Sequence, residues 1–380
     1  MNSQASKGNA EHPLQLQRLG IVMEPEPGNP MEEEGVLNPA SARGRDGQLY
    51  LFPRLVARGN HSRIGIARVR FDGAGNPAGV ERLGIVLEPE AEYELRSDGG
   101  GCEDPRITFV EPLKRYVMTY TALSSRGPRI ALAMSEDLFH WERLGLATFQ
   151  PHEGVDFSNV ANKDALLFPV AISDPDGQPA MALIHRPLFP GTGPEEKLQT
   201  GDPRVVDKLR ESIWISYNSM IRESCDNHLC HFASHRRLAC PVAPWEKLKI
   251  GGGTPPILTP QGWLFLYHGV CEASNTAQPA GRLSYSAGLL VLEEKRPHVI
   301  RYRSPEPVLT PELPKEREGV VPNVVFPTAI DRRDDLGLPG RFDVYYGMAD
   351  KRIGVARLDL PDCGDTRWFA ANSKEPSHAG

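Results

Sequence analysis

The chain has 380 residues and a formal net charge of -6, with 40% hydrophobic and 24% charged residues. This composition is ordinary for a globular protein with a large core and excludes a mainly disordered chain. Acidic and basic residues are interspersed, so the charge pattern indicates neither nucleic-acid nor anionic-membrane binding. We expect a small molecule as the partner, and the sequence leaves the oligomeric state open, a homo-oligomer included.

The two ends of the chain have no hydrophobic period. We expect residues 1–15 to be disordered or extended and residues 371–380 to form a frayed tail. The N-terminus lacks the apolar core of a signal peptide, and no apolar run is long enough to cross a bilayer. The sequence therefore predicts a cytoplasmic protein whose single domain spans residues 16–370.

A sequence repeat marks the first half of the chain. Arg18–Glu26 (RLGIVMEPE) recurs almost letter for letter as Arg82–Glu90 (RLGIVLEPE), and Glu142–Pro151 is a weaker copy. The offset of roughly 60 to 65 residues is longer than a WD40 blade. A fixed period of this length predicts a repeat architecture with one supersecondary unit per repeat.

A pair of short strands also recurs, five times along the chain. The first strands are predicted at Leu49–Arg54, Tyr116–Thr121, Ala180–Arg186, Gly262–Gly269 and Phe342–Gly347. Their partners are predicted at Arg63–Ala67, Arg129–Ala133, Ile213–Tyr217, Leu283–Gly288 and Arg352–Ala356. Short strands, turns rich in Gly, Pro and Asp, and no extended helical period predict an all-β fold. Five units predict a five-bladed β-propeller, with Leu188–Lys208 as a surface loop.

Polar residues recur at the ends of the predicted first strands. They are Arg54, Thr121, His185 with Arg186, Tyr267 with His268, and the segment that runs to Asp350. In a propeller the innermost strands line a central channel, so equivalent strand ends converge on one place. We predict a shared polar pocket at the channel mouth, the alternative being that these strand ends are simply polar.

The element Glu103-Asp104-Pro105-Arg106 is the candidate for acid chemistry. It follows three glycines, Gly99–Gly101, and precedes a strand predicted to begin near Ile107. Successive side chains of a strand point to opposite faces, so we expect one of the two carboxylates in the channel and the other in a structural role. Taken alone, the element could equally be a turn that an Asp–Arg pair stabilises.

The six cysteines are expected to be reduced thiols. Three of them, Cys225, Cys230 and Cys240, are interleaved with His228, His231 and His235, which would supply enough ligands for zinc. The spacing fits no compact paired-cysteine motif, so we predict a loop rich in Cys and His rather than a metal site. No dinucleotide or P-loop fingerprint is present, and no organic cofactor is expected.

The chain resembles glycoside hydrolase family 130, the inverting mannoside phosphorylases and related mannosidases, from about Leu37 to about Ala356. The matching motifs are Asn38–Ala40, Glu103–Arg106, Asn162–Pro169, His185–Pro187, Lys249–Pro256, Trp263–Gly269, Pro322–Pro327 and Tyr345–Asp350. The resemblance implies a five-bladed propeller, in agreement with the repeat count. It also implies that Asp104 is the proton donor, acting through a hydroxyl of the bound mannose.

The resemblance further implies the binding residues. Asn38, Arg54, Lys249 and Asp350 match positions that hold the mannose, and His185, Arg186 and Tyr267 match positions around the reacting centre. Vicinal hydroxyls need bidentate partners, and an oxocarbenium-like transition state needs fixed charge nearby. The other predicted substrate-binding residues, Glu103, Arg106, Lys163, Asp164 and His268, lie in the same motifs.

The nucleophile can be phosphate or water. Phosphate needs cations, for which Lys163, Arg186, His185 and His268 are candidates, whereas water needs a second carboxylate as base. Glu223 and Glu272 are candidate bases, and Ala161 stands where the phosphorylases carry an arginine. We predict phosphorolysis of a β-mannoside to α-mannose 1-phosphate, with inorganic phosphate as co-substrate. The alternatives are hydrolysis at the same site and a non-catalytic propeller that binds sugar or metal.

Overall fold

The computed structural model describes residues 14–189, 211–219, 229–273 and 282–361, and strands dominate these ranges. The strands are β1 (Gln17–Met23), β2 (Gly35–Arg43), β3 (Leu49–Ala57), β4 (His61–Phe71), β5 (Pro77–Leu87), β6 (Gly100–Val110), β7 (Arg115–Ser124), β8 (Gly127–Ser135), β9 (Glu142–Leu146), β10 (Thr148–Phe149), β11 (Ala161–Leu167), β12 (Ile172–Ser173), β13 (Pro179–Leu188), β14 (Ile213–Asn218), β15 (His231–Phe232), β16 (Ser234–Ala239), β17 (Lys249–Gly252), β18 (Ile257–Thr259), β19 (Gly262–Glu272), β20 (Leu283–Leu292), β21 (Ile300–Arg303), β22 (Val325–Arg332), β23 (Arg341–Met348) and β24 (Arg352–Asp359). The helices are single turns at Pro30–Glu32, Glu92–Glu94, Pro244–Glu246, Pro314–Arg317 and Asp334–Leu336. The all-β prediction is confirmed.

Most strands in the described ranges belong to five antiparallel units of four strands. Unit 1 is β2-β3-β4-β5, unit 2 is β6-β7-β8-β9, unit 3 is β11-β13-β14-β16, unit 4 is β17-β19-β20-β21, and unit 5 is β22-β23-β24-β1. Units 1 and 2 form one continuous sheet, because β4 and β6 pair in parallel over two residues. In unit 5 the first strand of the chain pairs with the last one, β24, so both ends of the described chain share a sheet.

The five predicted strand pairs are all present as hydrogen-bonded hairpins. They are the second and third strands of their units, however, because each is preceded by a first strand, and of these first strands the sequence pattern revealed only part of β6. One of these preceding strands, β6, begins at Gly100, so the prediction of a start near Ile107 was wrong. The register breaks inside β2, β6, β11 and β22 interrupt the alternation that identifies a strand.

The repeated Arg-Leu-Gly segments lie on β1, β5 and β9, the outer strands of units 5, 1 and 2. Their arginines bind a buried glutamate in the helical turn that leads into the same unit, and in most cases a tyrosine hydroxyl binds that carboxylate as well. We call each such cluster the clasp of its unit. The clasps are Glu32 with Arg82, Glu94 with Tyr120 and Arg143, Glu316 with Tyr346 and Arg18, and, with an arginine outside the repeated segments, Glu246 with Tyr267 and Arg303. The sequence repeat therefore corresponds to a tertiary contact, between arginine and buried glutamate, that recurs from unit to unit.

The apolar core is divided among the interfaces between units. One buried cluster lies between units 1 and 2, and others lie between 2 and 3, between 3 and 4, and between 4 and 5. A further cluster joins strands of unit 5 to strands of unit 1. Each unit thus buries both of its faces, which makes every unit dependent on its two neighbours.

Several predictions concern residues outside the described ranges. The expected C-terminal tail and most of the expected N-terminal segment are among them, and of that segment Leu14 is buried against strands of units 4 and 5. The predicted surface loop Leu188–Lys208 is described only at its start, where Leu188 ends β13 and Phe189 is buried. Among the described helices, none has the length and apolar character of a membrane span.

Candidate active site

The site is built on breaks in the first strands of three units. Asn38, Asp104 and Asp164 have φ angles of 43°, 46° and 57°, in the left-handed region that Asn and Asp tolerate better than other side-chain-bearing residues. Each lies at a register shift, in β2, β6 and β11 respectively. Asp350, in the turn after β23, has a φ of 48°. Strained backbone of this kind is typical of functional sites, where surrounding structure enforces it.

The first group of site residues surrounds Asp104. Its Oδ1 accepts hydrogen bonds from Asn38 Nδ2 at 2.9 Å and from Arg54 Nη1 at 3.2 Å. Arg54 also donates through Nη2 to Glu103 Oε1 at 2.6 Å. Both adjacent carboxylates therefore contact one guanidinium, and the expectation that they point apart was wrong. The register break and the left-handed φ of Asp104 remove the strict alternation of a regular strand.

The three carboxyl groups near Arg54 differ in acidity. Burial opposes ionisation of Asp104, but the charges of Arg54 and Arg106 outweigh it and hold the pKa of Asp104 below its usual value. Burial raises the pKa of Glu103 despite the charge of Arg54. Burial and the negative charge of Asp104 raise the pKa of Asp350 to about 6. In the resting site Asp104 is the most acidic of the three.

Arg106 is buried and ties the first strands of units 2 and 4 together. Its Nη1 donates to the Asp104 backbone carbonyl at 2.8 Å, and its Nε donates to the Gly253 carbonyl at 3.0 Å. The guanidinium carbon lies 5.3 Å from the centre of the Phe326 ring. Arg106 therefore fixes the backbone of the Asp104 turn and also places a positive charge behind that carboxylate.

A second group of site residues surrounds Arg186. Arg186 Nε donates to Asp164 Oδ2 at 2.7 Å, and Nη1 donates to Glu211 Oε2 at 2.9 Å. His268 Nε2 lies 3.9 Å from the same Asp164 oxygen. Lys249 Nζ lies 5.3 Å from the centre of the Tyr285 ring, a cation–π contact. Cations and carboxylates are thus interleaved in one buried cluster.

Burial and neighbouring charges shift the pKa values of the second group. Burial and the nearby Arg186 charge lower the pKa of Lys249, although Glu211 and Asp164 partly oppose the shift. Burial opposes ionisation of Asp164, but Arg186 and the other cations outweigh it and lower its pKa. Burial lowers the pKa of His268 to about 3, so its ring is neutral, and its Nδ1 has no hydrogen-bond partner among the described residues.

Lys163 connects the two groups. Its positive charge lowers the pKa of Asp104 in the first group and that of Asp164 in the second. The same charge opposes the rise that burial causes in the pKa values of Asp350 and Tyr285. The two groups are therefore parts of one site, and carboxylates and cations are present in both.

Two predicted site residues, His185 and Tyr267, lie apart from these groups. His185 is fully buried and hydrogen-bonds through Nδ1 to the Asn162 amide at 3.0 Å and through Nε2 to Ser216 Oγ at 2.7 Å. The Tyr267 hydroxyl donates to Glu246 Oε2 at 2.9 Å and is thus part of the clasp of unit 4. Each precedes a residue of the second group, and successive strand residues face opposite sides. The side chains of His185 and Tyr267 therefore point into their own units.

Sequence reasoning missed two members of the second group, Glu211 and Tyr285. Tyr285 lies in a predicted strand, but it belongs to none of the motifs that carry the resemblance. Glu211 immediately precedes the Ser212 that leads into β14, and it belongs to none of the motifs that carry the resemblance. An acid just before a predicted strand is too common a signal to single out, so only its contact with Arg186 reveals it.

Other sequence candidates lie outside the site. Glu272 is exposed at the end of β19, and its Oε2 is 3.7 Å from Lys247 Nζ. Glu223 falls outside the described residues, as do Cys225 and His228. His235 binds Ser216 Oγ and the Gln150 carbonyl. The described part of the chain contains no group of three or more His, Cys, Asp or Glu side chains that could hold a metal ion.

Buried carboxylates beside a set of cations, on a β-sheet scaffold, are the parts of a carbohydrate-active enzyme. A family model described as beta-1,4-mannooligosaccharide phosphorylase matches residues 17–364, and the chain belongs to that family, glycoside hydrolase family 130. The resemblance found in the sequence motifs is thereby confirmed, and the protein is a carbohydrate-active enzyme.

Characterised relatives align over most of the chain. It is 31% identical to a 1,2-beta-oligomannan phosphorylase from a Thermoanaerobacter species, over 92% of this chain and 99% of that one. It is 29% identical to a beta-1,4-mannooligosaccharide phosphorylase from Ruminococcus albus, over 74% and 70% of the two chains.

Solved structures share the fold. A beta-1,2-mannobiose phosphorylase from Listeria innocua, in complex with beta-1,2-mannobiose, superimposes with a TM-score of 0.65 and 22% identity, over 90% of this chain and 96% of that one. A crystal structure of a protein from Parabacteroides distasonis gives a TM-score of 0.66 and 24% identity, over 92% of this chain and 97% of that one. At these identities the similarity concerns the fold alone.

Proposed function

We propose that this enzyme is an inverting β-mannoside phosphorylase, which uses inorganic phosphate to release α-mannose 1-phosphate from a short β-mannoside. The observation that carries the proposal is the two-part site, in which the Asp104 carboxylate and the cation Arg186 belong to one buried cluster linked by Lys163. The phosphorylase names of relatives from two bacterial genera support the same reaction.

The first group suits the mannose. The carboxylate of Asp350, the amide of Asn38 and the guanidinium of Arg54 supply the bidentate partners that vicinal hydroxyls require. We assign Asp104 as the proton donor, relayed to the glycosidic oxygen through a hydroxyl of the bound mannose. Because Asp104 is ionised in the resting site, it needs a raised pKa before it can donate. Bound phosphate would provide this shift by adding negative charge and excluding water.

The second group suits the phosphate. Arg186 and Lys249 provide charge, His268 provides a neutral ring, and Lys163 lies between phosphate and sugar. Lys249 was assigned to the mannose by resemblance, but its surroundings of Arg186 and Tyr285 favour phosphate instead. A phosphate oxygen attacks C1 on the α face while the β-glycosidic bond breaks, and the leaving oxygen takes the proton that originates at Asp104.

Water is a weaker candidate for the nucleophile. The buried acids beside the cations are Asp164 and Glu211, and each already accepts a hydrogen bond from Arg186. A carboxylate held by a guanidinium is a poor proton acceptor. The two bases suggested by the sequence do not change this view, because Glu272 is exposed and Glu223 lies outside the described residues.

We further propose that the five units are the blades of one five-bladed propeller spanning residues 16–370. The apolar clusters follow one another from unit 1 to unit 5 and back to unit 1, which supports a closed ring. Contacts between the first strands of units 1 and 2, 2 and 3, 3 and 4, and 5 and 1 support the same arrangement. Phosphorolysis keeps the energy of the glycosidic bond in a sugar phosphate, and we propose a cytoplasmic location on this ground.

The test is to incubate the enzyme with β-1,2-mannobiose and β-1,4-mannobiose, each with and without inorganic phosphate. We expect α-mannose 1-phosphate, detected by phosphorus NMR, only when phosphate is present. Full turnover to mannose in phosphate-free buffer would instead establish a hydrolase. Sugar binding without turnover in either buffer would indicate a non-catalytic protein, and the preferred disaccharide identifies the linkage.

A further inference from the structure

Arg186 is held on two sides by carboxylates. Its side chain is 3% exposed, and the Asp164 and Glu211 side chains that it contacts are 2% and 9% exposed. The two hydrogen bonds use Nε and Nη1, on adjacent edges of the planar guanidinium. A planar group bound on two edges has a defined orientation, so these two acids determine where the remaining donors of Arg186 point.

The two acids come from different parts of unit 3. Asp164 lies in the break of β11, where its own backbone is strained, and its Oδ2 also faces His268. Glu211 reaches the same guanidinium from the residues that precede β14. Glu211 is thus a support for Arg186 that is independent of the first strand.

Lys249 places a second cation in the same pocket. Its positive charge and that of Arg186 repel each other, and Glu211 is the acid that offsets this repulsion most strongly at Lys249. The charged, titratable and aromatic groups that face Lys249 are Arg186 on β13, Glu211 before β14, Asp164 on β11, His268 on β19 and Tyr285 on β20. Asp164 and Glu211 thus place two carboxylates beside the cations Arg186 and Lys249.

We propose that Glu211 is a positioning residue of the phosphate subsite, which orients Arg186 and offsets its repulsion of Lys249 in the empty site. The inference rests on the proposed function, because phosphate is the ligand that these cations would bind. Among the described residues, Glu211 makes no hydrogen bond or ion pair with the first group, the residues around Asp104. Substitution of Glu211 should therefore raise the Michaelis constant for phosphate and leave that for the mannoside nearly unchanged.

The sign of the pH effect follows from the charges. E211Q keeps the shape of the side chain and removes its charge, so Asp164 alone opposes the repulsion between the two cations. The pKa of Lys249 then falls further, and Lys249 loses its proton at a lower pH than in the wild type. The Michaelis constant for phosphate should consequently begin to rise at a lower pH.

The experiment measures the Michaelis constants for phosphate and mannoside, and kcat, between pH 6 and 9.5. For E211Q we expect the Michaelis constant for phosphate to rise about tenfold at pH 7.5. Its increase at alkaline pH, which we call the alkaline limb, should begin about one pH unit lower, as expected for the loss of one neighbouring charge. The constant for the mannoside should change less than about twofold, within the spread of unrelated substitutions. E272Q, at an exposed acid outside the site, is the matched control and should behave as wild type.

E211D separates position from charge and serves also if E211Q folds poorly. The shorter side chain keeps its charge but withdraws from Arg186, so the constant for phosphate should rise while the alkaline limb stays in place. The proposal is overturned if neither variant changes the constant for phosphate, or if both Michaelis constants and kcat change together with no movement of the limb. A wild type that turns over equally without phosphate would instead refute the proposed function.

Discussion

The raised pKa of Asp350 leads to a prediction about stability. A carboxyl whose pKa is about 6 in the folded protein, against a usual value of 3.8, is ionised at neutral pH at the expense of folding stability. D350N removes this ionisation. Asn also tolerates the left-handed backbone at this position, where φ is 48°, so the substitution adds no strain.

The size of the effect follows from the shift. A change of about two pH units, at 1.36 kcal/mol each, corresponds to about 3 kcal/mol for a group removed from water. Asp350 is partly exposed, and solvent screening reduces the expected gain in the free energy of unfolding to about 2 kcal/mol. Since the folded pKa is raised, the difference between D350N and wild type should vanish below about pH 4 and appear fully above about pH 7.

The assay is urea unfolding of both proteins at pH 4 and pH 7.5, together with the Michaelis constant for the mannoside. D350N should be more stable at pH 7.5 only, and it should bind the mannoside less well because a carboxylate that accepts hydroxyl hydrogen bonds has been lost. D334N, at an exposed acid, is the control and should change stability by less than about 0.5 kcal/mol at either pH. A gain that persists at pH 4, or no gain at pH 7.5, would refute the reasoning.

Further predictions address the remaining assignments. D104N should lower kcat by about 10²- to 10⁴-fold on substrates with poor leaving groups, and unchanged turnover would remove Asp104 from the mechanism. Y267F and Y346F should each lower the free energy of unfolding by about 1 kcal/mol without changing either Michaelis constant, because both hydroxyls belong to clasps. A change in kcat or in a Michaelis constant for Y267F alone would show that Tyr267 acts in the active site. R303M leaves the fully buried Glu246 carboxylate without its cation and should cost about 3 kcal/mol in urea unfolding, whereas R68M, at an exposed pair, should unfold close to the wild-type urea midpoint.

The local features of the fold could be read from the sequence. Five hairpins were predictable because alternation and turn residues act over a few neighbours, and the Glu103–Arg106 element drew attention because glycines and a proline surround two acids. The family motifs also led to the correct family. Apart from β6, the strands that begin each unit were missed, since a register break such as the one at Asn38 disrupts the alternation that identifies a strand.

The orientation of adjacent side chains was decided by the tertiary structure. His185 and Arg186 are equally polar neighbours in one strand, as are Tyr267 and His268, and the sequence offers no reason to prefer either member of a pair. Pairing with the first strand of each unit determines which one faces the site and which one faces the unit. The structure therefore places Arg186 and His268 in the site, and it places His185 and Tyr267 inside their own units.

The assembly of charge was likewise a tertiary property. Glu211 and Arg186 are 25 residues apart in sequence, and Arg54 and Asp104 are 50 apart, yet each pair is in direct contact. Sequence alone determined that this chain is an all-β repeat protein of a carbohydrate-active family, because those features depend on local pattern and motif. Which carboxylates contact a guanidinium, and which of them have a lowered pKa, depends on distances and burial that exist only after the units have packed together.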